Sequence, residues 1–137
     1  MYNGLGHIAI RVSDMKRALK FYCSGMGLKQ KFSLKDAEEK PWIEYLEIVP
    51  GSFIELFYDN KNQIPQKLDP DRLSYLHACI ETPDIKNCER QLKENGILTD
   101  GPIKMQSDKS WQLWVTDPDG NRIEIMEYTK ESLQVQK

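Results

Sequence analysis

The sequence predicts an α+β fold in which one β-α-β-β-β module is written twice. The first observation is an internal repeat at an offset of about 70 residues, which aligns HIAIRVSDMKRALKFYCSGMGL, starting at His7, with HACIETPDIKNCERQLKENGI, starting at His77. The second is that each segment begins with period-two alternation, reaches an Asp, continues with a helical apolar stripe and ends at a Gly. We expect a single domain over 1–137, with modules at 4–58 and 72–128, a linker at 59–71 and a tail at 129–137.

Each element has its own local signal. HIAIRV and HACIET alternate as half-buried strands do, and Asp14 and Asp84 are suited to cap the helices that follow them. The polar segment DNKNQIPQKLDPD contains two prolines and is the natural linker, while the polar tail is expected to be peripheral. The remaining strands are predicted at Lys29–Leu34, Trp42–Val49, Ser52–Tyr58, Ile97–Lys104, Trp111–Thr116 and Arg122–Tyr128.

Composition excludes several classes of function. A net charge of −2 provides no basic field for nucleic acid or for an anionic membrane, and no apolar run is long enough to span a bilayer. The N-terminus lacks the pattern of a signal peptide, so a cytoplasmic location is expected. Three cysteines without a CxxC pair argue against a disulfide framework and against a thiolate zinc site.

Two histidines and two glutamates occupy matching places in the repeat. Glu55 lies in the apolar run FIELF, 48 residues after His7, and Glu124 lies in RIEIM, 47 residues after His77. A carboxylate among apolar neighbours is costly to bury without a partner or a metal. Each residue alone is more often an ordinary surface or core side chain, but the conjunction favours a site for a divalent cation of borderline hardness.

The segments quoted above, together with LHACIETPD and WVTDPDGNRIEIME, resemble the vicinal oxygen chelate superfamily, which includes glyoxalases, bleomycin-resistance proteins, epimerases and extradiol dioxygenases. The resemblance runs from Gly4 to Tyr128 and implies two modules whose mixed sheets curl around a metal cup. Carried over by position, the family's metal ligands fall on His7, Glu55, His77 and Glu124. A complete His-Glu-His-Glu set is most similar to the glyoxalase I branch.

The resemblance implies one divalent metal per site, Zn²⁺ or Ni²⁺ with Co²⁺ or Mn²⁺ as alternatives. It also implies a lactoylglutathione lyase-like reaction, the isomerisation of the hemithioacetal of methylglyoxal and a thiol. A carboxylate beside the metal would take a proton as general base and return it to the adjacent carbon. Glu124 is the first choice for this base and Glu55 the second. A small-molecule substrate is the expected partner, and family members often form homodimers.

Three more residues are predicted to contact the substrate. Arg11 follows the first His by four residues, where bacterial relatives hold a glutathione carboxylate with an Arg; a surface ion pair is the alternative. Asp59 stands where those relatives have an Asn, and its charge could repel a carboxylate. Trp111 could wall the pocket, or serve a core or interface role. Cys79 shares a strand face with His77, where it could line the cup or pack.

Two other functions remain open on these residues. One is a metal-dependent isomerase or epimerase acting on a small keto acid, hydroxy acid or sugar, which the acidic Asp59 keeps possible. The other is a non-enzymatic protein that binds or sequesters a small molecule, against which the complete ligand set argues.

Overall fold

A computed structural model describes residues 4–59, 61, 63 and 75–136, and the chain divides into two compact units, Met1–Gln66 and Lys67–Lys137. Each unit contains one open, four-stranded mixed sheet and few helical residues. The predicted α+β class and the repeated β-α-β-β-β order are therefore confirmed. Most of the predicted linker lies outside the described residues.

The first unit has the strand order β1-β4-β3-β2, with β1 parallel to β4 and the other pairs antiparallel. Its helix begins directly after Asp14, two residues past β1. The Asp14 side chain accepts a hydrogen bond from the Arg17 amide at 3.0 Å and so caps the first turn. The chain leaves the helix through Gly27, whose φ of +80° suits glycine. The elements are β1 (His7–Val12), α1 (Met15–Leu19) with a π-helical continuation (Lys20–Gly25), β2 (Lys29–Lys35), β3 (Pro41–Val49) and β4 (Ser52–Tyr58).

The second unit repeats this topology in the order β5-β8-β7-β6. Asp84 caps its helix by accepting from the Asn87 amide at 2.9 Å, and Gly96, at φ +79°, lies just past its end. The buried Asp117 accepts from the Asn121 amide at 2.7 Å and so closes the predicted DPDGN turn. The elements are β5 (His77–Glu81), α2 (Ile85–Glu94), β6 (Lys104–Met105), β7 (Trp111–Thr116) and β8 (Arg122–Glu127).

The helix-side faces of the sheets are mostly apolar, with Glu44 as a buried exception in the first unit. Leu46, Ile54 and Leu56 in the first unit and Leu113 and Val115 in the second are fully buried. Each such side chain contributes about 1.5–3 kcal/mol through removal of apolar surface from water. Because strand side chains alternate, this burial turns the intervening residues, including Glu55 and Glu124, to the opposite face of each sheet.

The prediction of one continuous strand over Ile97–Lys104 was wrong. The structure has only the short β6 and an isolated bridge between Thr99 and Val115. Gly101, at φ +144°, and Pro102, which has no amide hydrogen, interrupt the ladder between these two pairings.

The tail is also less peripheral than predicted. The Ser132 side chain is fully buried, and its hydroxyl lies 2.8 Å from that of Ser110. The Leu133 amide donates to the Asp108 carbonyl at 2.9 Å. The tail is thus held against the turn that precedes β7. None of the helices that the structure describes is long and apolar enough to cross a membrane.

Candidate functional site

In the first unit, the structure brings His7 and Glu55 together. Strand β1 runs parallel to β4 with Ala9 paired to Glu55, so His7 and the carboxylate project from the same face of the sheet. His7 Nδ1 lies 3.5 Å from Glu55 Oε1. The carboxylate side chain is only 7% exposed and the imidazole 53% exposed. The acidic group is therefore sheltered, while its partner remains open to solvent.

The second unit contains an equivalent pair. Strand β5 runs parallel to β8 with Cys79 paired to Glu124, and His77 Nε2 lies 3.2 Å from Glu124 Oε2. Here too the carboxylate is 6% exposed and the imidazole is more open, at 36%. Each histidine predicted from the sequence thus meets the glutamate predicted for its own module.

The donor chemistry of each pair fits part of a divalent metal site. Imidazole nitrogen and carboxylate oxygen are both ordinary ligands of Zn²⁺, Ni²⁺ and Co²⁺. Within neither unit do the described residues gather three or more His, Cys, Asp or Glu side chains into a group that could hold a metal. Each unit by itself therefore offers two ligands, one nitrogen and one oxygen.

An aromatic cluster surrounds Glu55. Tyr45 on β3 is the cross-strand partner of Glu55, and its hydroxyl donates a hydrogen bond to the carboxylate. This bond, with burial as a smaller cause, raises the pKa of Tyr45 above its usual value. The Tyr45 ring stacks on Phe32 with the ring centres 4.2 Å apart, and Phe53 packs edge-on 6.0 Å away. Tyr45 was not among the site residues predicted from the sequence.

Glu124 has different neighbours. The Cys79 thiol donates to its carboxylate, and burial, followed by the charge of Glu124, raises the pKa of Cys79 to about 12. Trp114 is the cross-strand partner of Glu124, and its ring lies edge-on to His77, with centres 4.9 Å apart. The Arg122 guanidinium carbon lies 4.2 Å from the centre of that ring. Cys79 therefore lies on the face that carries the His–Glu pair.

Trp111 lies on the other face of β7. It shares that face with Leu113 and Val115 and, with Ile85 and Ile103, lines a cavity of about 290 Å³ beside α2. This placement separates Trp111 from the face that carries Glu124. Trp114 is the better candidate for an aromatic wall, and counting residues back through the DPDGN hairpin would have identified it.

Arg11, near the end of β1, and Asp59, just after β4, lie close to each other. Arg11 Nη1 donates to the Tyr58 carbonyl at 2.7 Å, and its guanidinium carbon lies 5.6 Å from the centre of the Phe57 ring. Asp59 accepts from the amides of Gln63 and Lys61, and these bonds, with the nearby charge of Arg11, hold its pKa below the usual value. The guanidinium is thus already anchored and close to a negative charge.

Comparisons with known proteins agree on one family. The family model described as Glyoxalase/Bleomycin resistance protein/Dioxygenase superfamily matches residues 4–125. A lactoylglutathione lyase of Haemophilus influenzae is 32% identical over 127 residues, covering 88% of this chain and 90% of that protein. A probable lactoylglutathione lyase of Vibrio cholerae is 27% identical over 125 residues, covering 88% of each chain.

Solved structures agree on the fold. A glyoxalase family protein from Enterococcus faecalis superposes with a TM-score of 0.76 at 21% identity, over 92% of this chain and 98% of that one. The lactoylglutathione lyase from Agrobacterium tumefaciens superposes with a TM-score of 0.67 at 16% identity, over 92% and 94% of the two chains. At these identities the likeness concerns the fold alone.

Proposed function

Because the chain belongs to the glyoxalase/bleomycin resistance protein/dioxygenase superfamily, we propose that it is a divalent-metal-dependent lyase of the glyoxalase type. Its substrate in this proposal is the hemithioacetal of methylglyoxal and a thiol. The observation that carries the proposal is the equivalent imidazole–carboxylate pair in each unit, His7 with Glu55 and His77 with Glu124. The relatives named lactoylglutathione lyase support the same reaction class.

The proposal assigns the four side chains of the two pairs to one divalent ion, Zn²⁺ or Ni²⁺, with Co²⁺ or Mn²⁺ as alternatives. When bound, such an ion supplies Lewis-acid polarisation of two adjacent oxygens of the substrate. The pairs support this assignment because each places a carboxylate oxygen beside an imidazole nitrogen on one sheet face, and both atoms are ordinary ligands of these ions.

Proton transfer is assigned to Glu124. Its carboxylate takes the proton from the substrate carbon that bears the sulfur and returns a proton to the neighbouring carbonyl carbon. One C–H bond breaks and one forms, while the hydroxyl on the sulfur-bearing carbon loses its proton and the former carbonyl oxygen gains one. The sulfur stays attached, and the product is a thioester of a 2-hydroxy acid. No oxidant or reductant is needed. The low exposure of Glu124 limits exchange of that proton with water.

Substrate contacts are assigned to the same two sheet faces. Arg11 is the candidate for an anionic group of the thiol, while the negative charge of Asp59 disfavours a carboxylate close to it. Trp114 replaces Trp111 as the aromatic residue beside the reacting group. The family resemblance also leads us to propose a homodimer, which the mass of the protein in solution would test.

The direct test is a metal analysis followed by an assay of methylglyoxal with several thiols. We expect bound divalent metal and thioester formation with at least one of glutathione, cysteine and 2-mercaptoethanol. A metal-free protein that is inert with every thiol would contradict the proposal and favour a binding protein.

A second candidate function is favoured by Asp59. Its carboxylate lies near Arg11, so a substrate without a free carboxylate at that position would fit better than glutathione. A metal-dependent isomerase or epimerase acting on a small keto acid, hydroxy acid or sugar would use the same ligands and the same base. A protein that binds metal but is inert with every thiol would favour this candidate.

A further inference from the structure

The two proposed carboxylate ligands differ in the residue that faces them across the sheet. In the first unit, β3 places Tyr45 opposite Glu55. In the second, β7 places Trp114 opposite Glu124. These two aromatic residues occupy equivalent positions in equivalent sheets, but only tyrosine has a hydroxyl group to donate to a carboxylate.

The Tyr45 ring is held in place by its neighbours. It stacks on Phe32 with an interplanar angle of 21°, and Phe53 packs against it edge-on at 75°. These contacts orient the ring independently of the hydroxyl group, which donates to Glu55. The Glu55 carboxylate therefore lies between a phenolic donor and the His7 imidazole, in a setting from which it has little freedom to turn.

Glu124 lacks a phenolic donor. Its side-chain donor is the Cys79 thiol, and a thiol is a weak hydrogen-bond donor. The Trp114 ring packs against His77 and Arg122 instead of donating a hydroxyl to the carboxylate. His77 lies 3.2 Å from Glu124 and His7 lies 3.5 Å from Glu55, so the imidazole contacts do not distinguish the two carboxylates in favour of Glu55. The difference between them is the donor, a phenol for Glu55 and a weakly donating thiol for Glu124.

We propose that Tyr45 is a positioning residue that holds Glu55 as a fixed metal ligand and thereby leaves the proton-transfer role to Glu124. This inference rests on the function proposed above. Donors to a metal ligand orient it and tune its bond to the metal, and their removal typically costs about 10–100-fold in metal affinity or activity.

The test compares Tyr45→Phe with Tyr58→Phe. Tyr45→Phe keeps the stacked ring and removes only the hydroxyl group. Tyr58 makes the same kind of bond to Glu44, at 2.8 Å, but on the helix side of the same sheet. Each protein is titrated with Co²⁺ and followed by its visible absorption. The kcat and KM for the best thiol are then measured at saturating Co²⁺.

We expect Tyr45→Phe to weaken Co²⁺ binding about 10–100-fold, to shift the Co²⁺ absorption and to lower kcat with little change in KM. Tyr58→Phe should bind Co²⁺ as the unsubstituted protein does. Unchanged Co²⁺ affinity and absorption in Tyr45→Phe would overturn the role of Tyr45 without contradicting the proposed metal site. Equal weakening of Co²⁺ binding in both variants would have the same meaning. If the unsubstituted protein binds no Co²⁺, both the role of Tyr45 and the proposed metal-dependent function are overturned.

Discussion

Replacing Glu124 by Gln tests the chemical role of this carboxylate while keeping a side chain of the same shape in the fold. Glutamine has nearly the same shape and keeps an oxygen that accepts from the Cys79 thiol, so the buried site between Ile123 and Ile125 stays filled. The negative charge and the ability to take a proton are lost. We therefore expect a folded protein in which turnover is abolished.

The expected size of the kinetic loss exceeds the expected change in stability. A positioned general base contributes about 10²–10⁴-fold to the rate, which corresponds to about 2.7–5.5 kcal/mol of activation free energy. The contact with His77 contributes much less to folding, about 1 kcal/mol or less, because the imidazole is 36% exposed. An activity loss of several orders of magnitude would therefore not result from unfolding.

The assay measures kcat at saturating metal together with urea unfolding, for Glu124→Gln and for a Glu94→Gln control, which removes an exposed carboxylate at the end of α2. The control should keep its activity, because its carboxylate is exposed and lies outside the proposed ligand set. Turnover of Glu124→Gln close to that of the unsubstituted protein would refute the assignment of Glu124 as the base. An equal loss in both variants would assign the effect to net charge instead.

Three further predictions concern substrate binding and stability. Arg11→Gln should raise KM about 10-fold for a thiol that carries a carboxylate but not for 2-mercaptoethanol, since one hydrogen bond to a charged group is lost; equal effects on both thiols in steady-state assays would exclude carboxylate recognition. Asp84→Ala should lower the unfolding free energy by about 1 kcal/mol in urea, because the Asn87 amide loses its cap; an unchanged midpoint would contradict this. Burial and the bond to Glu44 raise the pKa of Tyr58 from 10.0 to about 12, so the folded protein holds the phenol proton more tightly than the unfolded chain. The resulting stability is complete below pH 10 and lost as the pH rises to 12; alkaline unfolding curves identical to those of Tyr58→Phe would contradict this.

Elements with local signals were predicted well. The strands that begin at His7 and His77 and the caps at Asp14 and Asp84 depend on alternation and on hydrogen bonds within three residues, which a single sequence displays. The extent of β6 was predicted wrongly, because pairing across Gly101 and Pro102 depends on the partner strand.

The two His–Glu pairs were predictable to the same degree. Glu55 and Glu124 stand out because each interrupts an apolar run, and their pairing with His7 and His77 follows from parallel neighbouring strands. The partner of Glu55 on β3 could not be read in this way, because a cross-strand contact depends on the register between strands. The burial of Glu44 depends on the same register, since its donors Gln30 and Tyr58 come from the two neighbouring strands.

We propose that the two His–Glu pairs hold one metal ion together. Calorimetric titration of Zn²⁺ into the metal-free protein, and into variants that lack His7 or His77, tests this directly. We expect one ion per chain in the unsubstituted protein and a large loss of affinity in either variant, because each removes one of four shared ligands. Two ions per chain, with one retained at full affinity after loss of either histidine, would show two independent sites and contradict the claim.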